Sequence, residues 1–445
     1  MKHADIVVIG GSAAGVTAAI TARRHYPEKK TLLVRKERQV LIPCGIPYIF
    51  GTVGSPEKNL IPDEVLSKNE IELMIDEVTV LDRKKGELKT KGGETVTYDR
   101  LVLATGSSPI MPAIPGIELG NVFPVFKDVS YLLKMQAALK NVTDLVVIGG
   151  GFIGVEFADE CKKSLKANVT VVEILPYCLM LAYDEEFCAQ AGLLLKGRGI
   201  TPMTDTKVSR IRGKDRVEAI ELTGGKELPA QAVILGIGTT ANVALAKGAG
   251  LRIGPTGGIV VDRTMRTSDD RIYACGDCAE KVSFFSGRPS PLNLASIATA
   301  EARIAGANLF GTRRENIGTI GVWSTVIGDT AFATAGLTET LAARHGYNYV
   351  VGVAEAPNRH PGGMPGMCSM KVKLIFERRT MVILGGQVVG DKAAGEVINA
   401  ISACIQRRMT AEDIAMFQTG THPALTASPI AYQFVNAAEA AVAAL

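Results

Sequence analysis

Three stretches of this sequence hold residue types that could do chemistry. In LIPCGIPYIF, Leu41–Phe50, Cys44 lies between Pro43 and Gly45, with Pro47 and Tyr48 close behind. A cysteine in that setting is a small packed apolar residue, half of a disulfide, or a lone nucleophile. As a nucleophile it works as the thiolate, and a helix N-terminus lowers a cysteine pKa. Pro47 suits the first turn of a helix, so Cys44 is expected just before one. The other two stretches are glycine loops, GGSAAG at Gly10–Gly15 and GGGFIG at Gly149–Gly154. Such a loop turns backbone N–H groups and a helix dipole toward a pyrophosphate.

The two loops differ in ways that bear on what they hold. The first reads Gly10, Ser12, Ala13, Gly15, with Ser12 at the middle glycine of the GxGxxG pattern. The strand that follows such a loop normally ends in an acid for the ribose. Here it ends in Arg35 and Lys36, with Glu37 next. The second loop is complete: Gly149, Gly151 and Gly154, with Phe152 and Ile153 between. Glu173 follows at the expected interval. A carboxylate there accepts both ribose hydroxyls and repels a 2′-phosphate, so this loop is expected to prefer NADH, with NADPH the alternative. The plainer reading of Glu173 is a solvated charge at a strand end.

The elements that position these residues follow from pattern. Ile6–Ile9 is a β-branched run expected as a buried strand, Val16–Arg24 a helix, and Thr31–Lys36 a second strand. Asp144–Glu173 repeats the same βαβ design, so two nucleotide-binding lobes are expected. Val78–Leu81 and Glu87–Thr97 look antiparallel between them. Tyr98–Pro109, Gln231–Asn242 and Arg271–Glu280 are strands that end in glycine turns. After about Val322 the texture becomes antiparallel strands and a helix across residues 393–417, with Ile398, Ile401, Ile405 and Met409 at helical spacing.

Composition narrows the class. Of 445 residues 47% are hydrophobic and 21% charged, so a large core in two or three domains is expected. The net charge of +4 is dispersed, which gives no footprint for nucleic acid. The apolar stretch Ile6–Ile20 is short and broken by glycines, so no membrane span is expected. Eight cysteines in this length suit a reduced cytoplasmic protein better than a disulfide scaffold. Cys275-Gly276-Asp277-Cys278 is a CxxC at a strand end. No second CxxC or histidine pair accompanies it, so no metal site is expected.

With two dinucleotide lobes and the segments LVLATGSSP, VILGIGTTAN and IYACGDCAE in this order, the sequence resembles the FAD- and NAD(P)-dependent disulfide oxidoreductases over nearly its whole length. The resemblance implies an α/β fold with two nested Rossmann-like domains and a C-terminal α+β dimerisation domain. It divides the chain into an FAD lobe at 1–119 and 247–321, an NAD(P)H lobe at 120–246 and an interface domain at 322–445, in a homodimer. It implies FAD held by Gly10, Ser12, Ala13, Gly15, Arg35, Lys36, Val78, Ala104, Thr105, Gly106, Gly276, Asp277, Leu294, Ala295 and Ser296, with Asp277 on the ribityl chain. It implies NADH on Gly149, Gly151, Phe152, Ile153, Gly154, Glu173 and Gly238.

Two-cysteine members of that family carry CxxxxC, and the place five residues before Cys44 here is Gln39. CGIPY resembles the single-cysteine coenzyme A disulfide and persulfide reductases, which makes coenzyme A the expected substrate or bound ligand, with Tyr48 and Arg23 toward it. Arg23 and Arg24 are equally well read as a solvated helix end. Related oxidases and peroxidases place a histidine where Ala13 stands. The resemblance also implies a proton donor from the C-terminal domain. The tyrosines of the coenzyme A relatives are missing from HPGGMPGM and GTHPALTASP, where Gly363 and Met364 stand instead. His422-Pro423 resembles the His-Pro of the two-cysteine reductases, although Ala427 replaces the glutamate that orients that histidine. His422 is the expected donor, His360 its rival, and a plain turn histidine the third reading. The expected reaction is NADH-dependent reduction of a sulfur–sulfur bond in a small thiol compound. The alternatives are an NADH oxidase working through a Cys44 sulfenic acid and a flavin redox sensor or electron-transfer protein.

Overall fold

Lys2–Ile9 is a strand because Ile6, Val7, Val8 and Ile9 are β-branched and flanked on both sides by partners that bury them. It lies between Thr31–Arg35 and Thr95–Leu103, parallel to both, with Ile6 opposite Thr31 and Arg100. Glu72–Ile75 extends the sheet beyond Thr31–Arg35, and Ile272–Ala274 runs parallel along the end of Thr95–Leu103. Two antiparallel strands, Glu87–Thr90 and Val78–Asp82, complete it. Thr31–Arg35 is buried at every position, as a parallel strand covered on both faces must be. Helix Ala13–His25 packs against helix Ala295–Asn308. Gly306 permits the approach, since a Cβ there would sit 2.6 Å from the Ala18 carbonyl oxygen.

The computed structural model describes residues 1–445 and contains two compact units. One consists of Met1–Ala113, Gly120–Val142 and Ile237–Thr319; the other of Ile114–Leu119, Thr143–Gly236 and Ile320–Leu445. The second unit repeats the βαβ theme with parallel strands Ala232–Leu235, Asp144–Ile148, Asn168–Val172 and Ile200–Met203. Helix Phe152–Ser164 follows its glycine loop. The same unit holds an antiparallel five-stranded sheet in the order Val322–Ile327, Thr330–Gly336, Ile383–Gly390, Ser369–Glu377, Tyr349–Pro357.

The helix expected across 393–417 is two helices, Ala394–Gln406 and Ala411–Ala415. The break is local chemistry. Arg408 takes φ +52°, and Thr410 opens a capping box with Asp413 that starts a new helix. A buried lysine knots the same unit. Lys373, 3% exposed, meets Asp184 at 3.0 Å, Glu186 at 2.5 Å, and Glu339.

Candidate active site

The first glycine loop is a cradle that side chains would fill. Gly10 has φ +115°, its N–H donates to the Val34 carbonyl at 2.8 Å, and a Cβ on it would run into the Ala104 carbonyl. A Cβ on Gly15 would run into the Gly10 carbonyl. The first rung of the helical ladder is Val16 N–H to Ser12 at 3.0 Å, so the N–H groups of Ala13, Ala14 and Gly15 lie outside it. Gly276, φ +77°, abuts the loop: a Cβ on it would come 2.8 Å from that of Ala14. A bare loop whose N–H groups lie outside the helical ladder, beside a Gly-Asp turn, fits the pyrophosphate of a dinucleotide flavin.

Asp277 is held in place from within the same unit. Ser107 Oγ donates to it at 2.6 Å, and Lys127 Nζ lies 3.7 Å from the same carboxylate oxygen and 3.2 Å from Ser107 Oγ. Sequence reading missed Ser107 as a partner and missed Lys127 altogether; 170 residues separate Ser107 from Asp277. The ATG turn is stitched to the TTAN segment. Thr105 Oγ1 donates to the Asn242 carbonyl at 2.7 Å, the Asn242 amide to the Thr105 carbonyl at 3.0 Å, and Ile110 N–H to Gly238 at 3.0 Å. Gly238 thus belongs to the unit of the first loop. Val78 begins an edge strand, and Leu294 caps the helix that starts Ala295-Ser296.

Cys44 is exposed and forms no disulfide. The α-helix expected after it is absent. Pro43–Gly45 and Pro47–Phe50 are two short 3₁₀ turns, and Cys44 sits inside the first. Pro43 and Pro47 remove N–H donors, and Gly51 leaves helical geometry at φ −147°, so no long dipole builds. The turn is rigid all the same. Ile46, Pro47, Ile49 and Phe50 are buried, and Asn59 donates to the Ile42 carbonyl at 2.9 Å. Gln136 clamps the far side through the carbonyls of Ile49 and Gly54. Tyr48 is partly buried in the second turn. Arg23 is committed to Glu70 and to the Pro27 and Lys29 carbonyls, while Arg24 is exposed. Cys275 and Cys278 are wholly buried among core side chains, and burial pushes both thiols up.

The second loop repeats the first. Gly149 has φ +104° and donates to Val172 at 2.9 Å, and a Cβ on Gly154 would run into the Gly149 carbonyl. The ladder begins at Val155 N–H to Gly151, leaving the N–H groups of Phe152, Ile153 and Gly154 outside it. Glu173 is buried and accepts from the N–H groups of Gly150 at 2.6 Å and Leu175 at 2.8 Å. That geometry fits a nicotinamide dinucleotide. Phe152 stacks on Trp323, centroids 5.9 Å apart. One turn on, Glu156 accepts from Thr325 at 3.0 Å, and burial raises its pKa to about 7.

In the C-terminal domain the two rival histidines lie in segments that bind one another. His360 N–H donates to the Pro423 carbonyl at 3.2 Å, and its Nδ1 donates to the Thr426 carbonyl at 3.2 Å. His422 is exposed, and its Nδ1 accepts from Ala424 N–H at 3.2 Å, which leaves the proton of the neutral ring on Nε2.

Comparison with known proteins gives this arrangement its class. The family model of the pyridine nucleotide-disulphide oxidoreductases matches residues 4–302, and the model of that family's dimerisation domain matches 322–430. The chain belongs to that family and is an FAD- and NAD(P)H-dependent oxidoreductase. It is 33% identical to an NAD(P)H sulfur oxidoreductase (CoA-dependent) of Pyrococcus abyssi, over 92% of each chain. An NADH oxidase of Methanocaldococcus jannaschii is 32% identical over the same shares. Among solved structures, an NAD-dependent persulfide reductase from A. fulgidus superposes with a TM-score of 0.91 at 31% identity, covering 98% of this chain and 83% of that one. No helix is long and apolar enough to cross a membrane.

Proposed function

We propose that the protein reduces the sulfur–sulfur bond of a small thiol compound with NADH, through Cys44 alone. The substrate class is coenzyme A disulfide, coenzyme A persulfide or polysulfide. The observation that carries this is an exposed thiol on a rigid turn, with Gln39 where a second cysteine would stand. The Cys44 thiolate attacks one sulfur of the substrate, the sulfur–sulfur bond breaks, and one thiolate leaves while the other half stays on Cys44 as a mixed disulfide. FAD, when bound, would supply the two-electron chemistry that takes reducing equivalents from NADH, and reduction of the mixed disulfide would return Cys44 to the thiolate and free the retained half as a second thiol. His422 protonates the departing thiolate from the partner subunit of a homodimer, and Tyr48 lines the substrate's approach.

On this reading each cofactor has its own lobe, and the two bare glycine loops support it. FAD lies on the 1–119 and 247–321 lobe, with Asp277 on its ribityl chain. NADH lies on the 120–246 lobe, with Glu173 toward its ribose, and 322–445 supplies the subunit interface. The protein works in the cytoplasm. The relation to the M. jannaschii oxidase keeps a second reading, oxygen reduction with Cys44 as a sulfenic acid. Anaerobic NADH consumption separates them. With coenzyme A disulfide as oxidant, thiol release stoichiometric with NADH supports the reductase. NADH consumption that needs oxygen and releases no thiol supports the oxidase.

A further inference from the structure

The two glycine loops serve as templates for each other, and the comparison isolates one substitution. In the second lobe a Cβ on Gly150 would come 3.0 and 3.1 Å from Cβ and Cγ of Glu173. In the first lobe a Cβ on Gly11 would come 3.1 and 3.3 Å from Cβ and Cγ of Arg35. Arg35 therefore occupies the position of the ribose acid, against the same loop glycine. A guanidinium has only donors, so it cannot accept a hydroxyl proton as a carboxylate does.

Arg35 carries an acid to that place. Its side chain is 1% exposed, and its Nη1 and Nη2 grip Asp63 Oδ1 and Oδ2 at 2.7 and 2.8 Å, a two-pronged pair. Two further donors go to the carbonyls of Glu37 at 2.9 Å and Arg38 at 3.0 Å. Asp63 itself keeps 48% of its side chain exposed, and each carboxylate oxygen retains an accepting lone pair. We propose that Asp63, held by Arg35, is the residue that accepts the hydroxyls of the adenosine ribose of FAD. The assignment rests on the first lobe holding FAD. Glu37 is the other acid at this edge. Its carboxylate has no bonding partner in the structure and would have to be ordered for the task, which costs side-chain entropy that Asp63 has already spent.

The test uses the full chain, stripped of flavin and titrated with two probes: FAD, and an FAD analogue whose adenosine ribose lacks both hydroxyls. Quenching of flavin fluorescence reports each Kd. The unchanged protein is expected to bind FAD about 10- to 100-fold more tightly than the analogue, the worth of hydrogen bonds to a charged acceptor. Asp63→Asn is expected to bring the two Kd values together while leaving analogue binding unchanged. Glu37→Gln is expected to keep the preference. Thermal melting confirms folding, and Asp63→Ser stands in if Asp63→Asn does not fold. A full preference for FAD in folded Asp63→Asn overturns the assignment, as does its loss in Glu37→Gln alone. Failure of the unchanged protein to bind FAD at all overturns the flavin reading instead, so the two failures are distinct.

Discussion

The N–H of Gly276 donates to Glu301 Oε2 at 2.9 Å, and Lys281 Nζ reaches that same oxygen at 2.9 Å and the Gly276 carbonyl at 2.5 Å. Lys281 and Glu301 are each 2% exposed. A buried ion pair thus holds the residue just before Asp277 at both its peptide groups. Glu301→Gln keeps an acceptor for Gly276 but strands a buried ammonium. It is expected to lose about 3–5 kcal/mol in denaturant unfolding. Replacing both, as Lys281→Met with Glu301→Leu, is expected to recover part of that loss, because neither charge is then left alone although the Gly276 N–H loses its acceptor. A folded, fully stable Glu301→Gln would show that the pair is idle.

Cys44→Ser is expected to lower disulfide reduction by several orders of magnitude, since the nucleophile and the site of the mixed disulfide are the same atom. NADH should still bleach the flavin absorbance of this variant under anaerobic conditions. Retained thiol release would sink the single-cysteine mechanism.

His422→Asn is expected to lower kcat for disulfide reduction about a hundredfold, in the range for a lost acid–base group. His360→Asn is expected to act more weakly, through the 3.2 Å contacts that fasten the His422 segment. The reverse order of effects would make His360 the donor.

Glu156 links stability to pH. Burial raises its folded pKa from 4.5 to about 7, with Glu160 adding to the rise and the Thr325 bond opposing it. The folded state therefore holds its proton more tightly than the unfolded state does. The stability this contributes is present below about pH 4.5 and is lost as pH rises through 7. Glu156→Gln keeps an acceptor for Thr325 and is expected to be more stable than the unchanged protein by about 2 kcal/mol at pH 8, after allowance for solvent screening. The difference should vanish at pH 4. A difference that is the same at both pH values would remove Glu156 as its source.

What the sequence reveals of this molecule is what repeats or lies close in the chain. Gly10–Gly15 and Gly149–Gly154 announce two lobes because each glycine is demanded by a local contact, such as Gly15 against the Gly10 carbonyl. Glu173 is legible by its interval from the loop. Lys127 and Glu301 are not, because their partners are assembled by folding from segments far apart in the chain. The turn around Cys44 misleads for another reason. Pro47 suits a helix start, yet four residues end in Gly51 before an α-helical rung can form. Arg35 reads as a defect until Asp63 is seen in its grip.

Glu173, proposed above to face the ribose of NADH, has a consequence for anyone who would re-engineer nucleotide preference. Its carboxylate is also the hydrogen-bond acceptor that settles the N–H groups of Gly150 and Leu175. Exchanging it for an apolar or basic residue would remove a negative charge and, in the same stroke, orphan a buried peptide donor in the loop itself. Selectivity and loop integrity are therefore inherited together here. A designer must supply a new acceptor for Gly150 before choosing a new guest for the ribose.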